Sequence, residues 1–293
     1  MKPQSTVLIL GATGMLGHTL FRSLSQNKNL HVFGTTRNPS AKKWFAKNQA
    51  KNLLTNIDVL NSKSLESAFK KTKPDIVINC IGLIKQVAQS QEVMHSIPVN
   101  AIFPHQLAYL TKEYQARLIL MSTDCVFSGK KGNYSETDPV DCTDLYGQSK
   151  ALGEIIDQPH VLTIRTSIIG HELRGGHSLV NWFLKQRGSI LGYTRAIYSG
   201  LPTIEVAHII RDHVLPNAKL HGLYQIASDP ISKFELLGLI AKTYRKKIGI
   251  QKTNTPKINR SLSYAKFQKK TGYQPKSWHQ LIEEMYADYC EHY

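Results

Sequence analysis

Apolar residues along the chain fall into short β-branched runs, "TVLIL", "LHVFGTT", "DIVINC", "RLILMST" and "VLTIRTS", separated by amphipathic segments of helical length. A strand that is apolar on both faces needs cover on both sides, so this alternation predicts βαβ units with right-handed crossovers. The expected fold class is α/β, a doubly wound parallel sheet over roughly the first 165 residues. Beyond residue 166 the regularity breaks. "GHELRGGHS" reads as a glycine-rich loop, "LVNWFLKQ" as a short helix, and "AIYSGLPTIEVAHIIRDHV" as strand followed by helix. The pattern divides the chain into residues 1–168, rejoined by about 201–222, and a smaller C-terminal lobe of 169–200 and 223–293. No internal repeat or low-complexity tract interrupts it.

Composition changes this picture little. The 293 residues are 41% hydrophobic and 20% charged, which excludes a disordered or fibrous chain. The longest apolar runs are strand-sized, far short of the ~20 residues of a membrane helix, so no membrane insertion is expected. The N-terminal "MKPQSTVLIL" lacks a following small-residue cleavage site, which argues for a cytoplasmic protein. Cys80, Cys125, Cys142 and Cys290 show neither a C-x-x-C pair nor ligand spacing with histidine, so free thiols and no metal are expected.

The net charge of +16 does more, since it raises the question of nucleic acid. Between Lys242 and Lys276 there are eleven Lys or Arg and no acid. No helix-turn-helix, finger or aromatic RNA-binding signature accompanies the run, so a solvated basic surface is the expectation and nucleic acid is not. A basic surface also concentrates small polyanions such as nucleotides.

The first βα turn, "LILGATGMLGHTL", carries Gly11, Gly14 and Gly17. Such glycines serve a tight turn, close approach of backbone to a pyrophosphate, and packing of helix on strand. A helix beginning near Thr13 presents free N–H groups to phosphate. The sheet is therefore expected to be Rossmann-type and to bind a dinucleotide. The second strand ends "VFGTTRNPSAKK", where an acid would meet a free ribose 2′-hydroxyl and an arginine a 2′-phosphate. No acid is present, while Thr36, Arg37 and Lys42 or Lys43 suit a phosphate, so NADP(H) is preferred over NAD(H). Arg37 as a plain solvated loop residue is the competing reading. Asp58, after the third strand, stands where an adenine amino group could be met.

Tyr146 and Lys150 in "LYGQSKALGE" lie one turn apart on one face if Asp144 opens a helix. A phenol titrates near ~10 and needs an adjacent ammonium to act at neutral pH. Ser122 or Thr123, ending the preceding strand, could hydrogen-bond a substrate carbonyl at the edge where open α/β sheets bind ligands.

With "GATGMLG", "DIVINCIG", "VNAIFPHQLA", "MSTDCVFSG", "YSETD", "LYGQSKALGE", "LTIRTSIIG" and "TGYQPKSWHQLI", the chain resembles the extended short-chain dehydrogenase/reductases, within them the dTDP-4-dehydrorhamnose reductase group. The resemblance implies that Thr123 polarises a carbonyl, Tyr146 delivers the proton, and Lys150 tunes Tyr146 and holds the nicotinamide ribose. It implies a cofactor set of Gly11, Thr13, Gly14, Met15, Leu16, Gly17, Arg37, Asp58, Val59, Cys80 and Gly82 with Tyr146 and Lys150. The implied substrate class is a nucleotide-linked 4-keto-6-deoxyhexose, reduced for lipopolysaccharide, capsule or other deoxysugar assembly. The helices of "PVNAIFPHQLAYLTKEY" and "LYGQSKALGEII" are the pair through which such relatives dimerise, so a homodimer is implied.

Relatives commonly carry an aromatic after "STD" and another after "RTS"; here stand Cys125 and Ile168. Substrate contacts are expected from Ser122, Thr123, Asp124, Cys125 and Ile168, and from Asn181, Trp182 and Arg195 in the loop-rich segment. Trp182 as lobe core and Arg195 as bare surface are the alternatives. Two other functions stay open: a non-catalytic NADP-binding partner resembling the methionine adenosyltransferase β subunit, and a nucleotide-sugar epimerase or dehydratase. Dehydratases usually show an acidic pair after the Ser/Thr position, whereas Asp124 is followed by Cys125.

Overall fold

A computed structural model describes residues 4–84 and 88–293. Its chain begins with β1 (Ser5–Leu10), α1 (Met15–Leu24), β2 (Leu30–Thr35), α2 (Lys47–Ala50), β3 (Leu53–Leu54), α3 (Ser62–Thr72) and β4 (Ile76–Asn79). There follow α4 (Val93–Ile97), a π-helical turn at Pro98–Ile102, α5 (Phe103–Glu113), β5 (Arg117–Thr123), α6 (Leu145–Leu152) and β6 (Val161–Thr166). The later chain forms β7 (Ile168–Ile169), α7 (Leu179–Lys185), β8 (Ser189–Tyr193), β9 (Ala196–Tyr198), β10 (Leu201–Pro202), α8 (Thr203–Ile209) and β11 (Gly222–Gln225). It ends with β12 (Ile231–Ser232), α9 (Lys233–Thr243), β13 (Gly249–Thr253), β14 (Ile258–Asn259), α10 (Ala265–Thr271) and α11 (Trp278–His292).

The fold class is the expected one: a seven-stranded parallel sheet in the order β3-β2-β1-β4-β5-β6-β11. Order reverses between β1 and β4, which pair from Val7 with Ile76 to Leu10 with Asn79. That switch point opens a crevice beyond the strands' carboxyl ends. By compactness the chain divides into one unit of 1–122, 144–164 and 218–223, and a second of 123–143, 165–217 and 224–293.

In the first unit both faces of the strands are buried. Leu8 and Leu10 of β1 join Val77, Leu118 and Leu120 in a cluster with Leu65 and Phe69 of α3 and Phe103 and Leu107 of α5. The alternate residues Val7 and Ile9 are fully buried as well, which is why these strands read as continuous apolar runs. α1 begins at Met15 with Gly14 as its N-cap, two residues later than the expected start near Thr13, because Gly14 still has extended backbone.

The second unit carries small sheets, β10 with β7, β12-β9-β14, and β13 with β8. Its core gathers Ile169, Val180, Phe183, Tyr198, Leu236, Ile240, Ile282 and Met285. α9 and α11 open with reciprocal capping boxes, Ser232 with Glu235 and Ser277 with Gln280, which satisfy two otherwise orphaned donors each. The acid-free basic stretch is spread over the end of α9, β13, β14 and α10, with Lys252 over the Phe234 ring and Lys266 over Tyr224. All four cysteines are free thiols. No helix among the described residues is long and apolar enough to cross a membrane.

Candidate active site

The sequence-selected residues fall into two groups, one in each unit. In the first unit the glycine turn follows directly from β1. Gly11 has φ +80, a conformation only glycine adopts without strain, and its N–H donates to Thr35 Oγ1 at 3.2 Å. Gly14 N–H closes the turn on Gly11 O at 3.0 Å. A Cβ at Gly17 would stand 2.1 Å from Gly11 O, so α1 packs on the turn only because residue 17 is glycine. Gly14 is exposed, and a Cβ there would meet no atom nearer than 3.4 Å. The N-cap, preceded by Thr13, has no side chain to occupy the first N–H groups of α1, which opens with Met15 and Leu16, so these donors are left for an anion. These groups fit a dinucleotide pyrophosphate.

After β2, Thr36 Oγ1 accepts from Asn38 N at 3.2 Å and Asn38 caps the following 3₁₀ turn, which leaves Arg37 exposed beside exposed Lys42 and Lys43. Asp58 is exposed and its carboxylate receives Leu60 N–H at 3.1 Å, while Val59 packs against the apolar cluster. Cys80 follows β4 directly, held by its N–H on Leu10 O at 3.0 Å. Burial pushes the Cys80 thiol up to about 12.

Tyr146 and Lys150 sit on α6, whose start is fixed by Asp144 accepting from Gly147 N at 3.0 Å. Their spacing puts them one turn apart on one face. Lys150 Nζ donates to Met121 O of β5 at 2.8 Å. Burial pulls the ammonium down to about 8, opposed by the charge of Glu154. A Cβ at Gly82 would lie 3.8 Å from Lys150 Nζ and 3.3 Å from Asn100 Oδ1, so the loop after β4 passes over both.

Asn100 belongs to no sequence-selected site residue, although "VNAIFPHQLA" contains it. It is 1% exposed, on the π-helical turn where Phe103 N–H reaches back to Pro98 O. Pro104 has no N–H to give the Asn100 carbonyl, so the helix cannot close normally here. The Asn100 side chain accepts from Leu83 N at 2.9 Å and donates to Ser149 Oγ at 3.2 Å. The two prolines bracketing an asparagine were the available signal. Ser122, expected to meet substrate, donates its hydroxyl to Glu154 Oε1 at 2.6 Å.

In the second unit Thr123 opens a 3₁₀ turn: its hydroxyl accepts from Cys125 N at 3.1 Å and donates to Asp124 Oδ1 at 3.2 Å. Asp124 is buried, which raises its carboxyl despite the nearby charges of Arg260 and Lys233. Arg260, not singled out by sequence, donates Nε–H to Phe127 O at 2.8 Å and brings Nη1 to 4.0 Å from Cys125 Sγ. A guanidinium therefore lies against Cys125, one of the expected substrate contacts. Ile168 is half-buried in β7, Trp182 is 40% exposed outside the lobe's buried cluster, and Arg195 is exposed. Asn181 lies near His171, whose imidazole burial pulls down to about 4 and whose Nε2 meets Tyr244 OH at 2.8 Å. Among the described residues one group has metal-like spacing, Glu205, His208 and Glu284. Lys276 Nζ already bridges both carboxylates at 2.7 Å.

The comparisons with known proteins agree with this architecture. A dTDP-4-dehydrorhamnose reductase of Aggregatibacter actinomycetemcomitans is 24% identical over 307 residues, covering 96% of this chain and 98% of the relative. The methionine adenosyltransferase 2 subunit beta of Danio rerio is 24% identical over 255 residues, covering 83% and 75%. The crystal structure of a Bacillus anthracis dTDP-4-dehydrorhamnose reductase in complex with NADP superposes with a TM-score of 0.79 at 21% identity, covering 97% of this chain and 99% of that one. The RmlD substrate binding domain model matches residues 5–291, and the chain belongs to that family.

Proposed function

We propose that the protein is an NADPH-dependent reductase of a nucleotide-linked 4-keto-6-deoxyhexose, acting as dTDP-4-dehydrorhamnose reductases do. The observation that carries the reading is the Tyr146 and Lys150 pair on α6, with the Lys150 ammonium anchored on Met121 O beside Gly82, in the unit that holds the glycine turn. Tyr146 donates the proton to the sugar oxygen as general acid, and Lys150 lowers the cost of the resulting phenolate. Thr123 orients the carbonyl. Gly11, Gly14 and Gly17 with the N-terminus of α1 hold the pyrophosphate, and Arg37 the 2′-phosphate. When bound, the dinucleotide supplies the hydride. Exposed Ile102 and Tyr109, with Leu152 and Ile156 at and beyond the end of α6, support a homodimer through the α5 and α6 face. A cytoplasmic place in surface-polysaccharide or deoxysugar synthesis follows from the same reading.

The test is NADPH oxidation with 4-keto-6-deoxy sugars on dTDP, UDP, GDP and CDP, alongside Tyr146→Phe. Turnover on one carrier, reduced by about 10²-fold or more in the variant, is expected. Tight NADPH binding with no turnover on any carrier would favour the non-catalytic reading suggested by the methionine adenosyltransferase subunit.

A further inference from the structure

Two consecutive residues near the end of β5 are tied to the same helix end. Met121 O accepts from Lys150 Nζ at 2.8 Å, and Ser122 Oγ donates to Glu154 Oε1 at 2.6 Å. Lys150 closes the last turn of α6, and Glu154 follows its C-cap, Gly153. A Cβ at Gly153 would stand 2.0 Å from Asn100 O, so the helix must end on glycine to seat against the π-helical turn. Glu154 N–H then bonds Ala151 O at 3.2 Å as the chain turns away. The backbone and Ser122 together fix where the Glu154 carboxylate points.

We infer that Glu154 is a positioning residue for the Tyr146 and Lys150 pair, supplying the negative charge that keeps the Lys150 ammonium protonated, with Ser122 holding that carboxylate in place. The consequence for turnover rests on the proposed reductase reading; the effect on Lys150 does not.

Among the described residues, few groups act on Lys150. Burial pulls it down to about 8, while Glu154 and, more weakly, Cys80 just after β4 pull it up. The Cys80 thiol, pushed up to about 12, carries little charge at physiological pH, which leaves Glu154 the stronger of the two. Tyr146 lies one turn earlier on the same helix. Glu154 is thus the carboxylate that offsets burial. Without it a lysine at about 8 drops toward neutrality, loses its proton in the working range, and no longer stabilises a phenolate.

The experiment reads Lys150 directly. The full chain is trace-labelled with acetic anhydride across a pH series, and acetylation of the Lys150 peptide is followed by mass spectrometry in wild type, Glu154→Gln, Glu154→Asp and Ser122→Ala. The Gln variant keeps an acceptor for Ser122 and removes only the charge. Its Lys150 midpoint is expected about one pH unit below that of wild type, and the alkaline limb of turnover moves down with it. Glu154→Asp restores most of the difference. Ser122→Ala removes the hydroxyl that orients the carboxylate and lowers the midpoint by a smaller amount. A Gln midpoint equal to wild type overturns the inference, as does an Asp midpoint as low as that of Gln. Should the Gln variant fail to fold, an unchanged midpoint in Ser122→Ala overturns it. A shifted midpoint in a protein that reduces no keto sugar would instead sink the reductase reading alone.

Discussion

The Asn100 carboxamide clasps Leu83 from both sides, its Oδ1 accepting from Leu83 N–H at 2.9 Å and its Nδ2 donating toward Leu83 O at 3.3 Å. That pairing fixes the loop after β4 over the Lys150 ammonium, and it is the side chain rather than local backbone that does so.

Asn100→Asp cannot donate to Leu83 O or Ser149 and places a carboxylate where exposure is 1%. A loss of about 1–3 kcal/mol in denaturant stability is expected, with weakened NADPH binding in a fluorescence titration. A variant as stable as wild type would show that the loop is held by other contacts.

Gly17→Ala tests the packing of α1 on the turn. The added methyl would lie 2.1 Å from Gly11 O, which is backbone and cannot move aside without shifting the phosphate cradle. Destabilisation of about 1–3 kcal/mol and a loss of NADPH affinity of at least about tenfold are expected. Unchanged affinity by calorimetry would contradict the pyrophosphate role of the turn.

Lys150→Met should stabilise the protein while abolishing turnover. Burial lowers the folded-state lysine from 10.5 to about 8, so between those values the unfolded chain binds more protons than the folded one. The cost of burying the charge is full below about 8 and disappears as pH rises toward 10.5. At neutral pH the variant is expected to gain on the order of 2 kcal/mol, less than an ideal conversion because the amine retains a carbonyl partner and some solvent. The gain should vanish in melts above pH 10.5; a gain independent of pH would trace to packing instead.

Arg37→Ala removes the exposed guanidinium proposed to meet the 2′-phosphate, in a loop with no acid between Gly34 and Lys51. The KM for NADPH should rise by about tenfold or more while that for NADH changes little. Equal changes in both would make Arg37 a general phosphate contact and return the preference to Lys42 or Lys43.

What contiguous residues encode was legible in advance. The apolar runs gave the parallel sheet because strands covered on both faces must be apolar at successive positions. The glycine turn was readable because its geometry closes within a few residues, and Tyr146 with Lys150 because helical spacing alone puts them on one face. Tertiary structure decided the rest. Asn100 meets Leu83 across 17 residues and Ser149 across 49, and Ser122 meets Glu154 across 32. Arg260 reaches Phe127 across 133. No local pattern records such pairs, since a polar side chain's partner depends on which distant backbone the fold brings beside it. The sequence marks Ser122 as a substrate contact and gives Glu154 no role; that the two are partners appears only when β5 and the end of α6 are packed together.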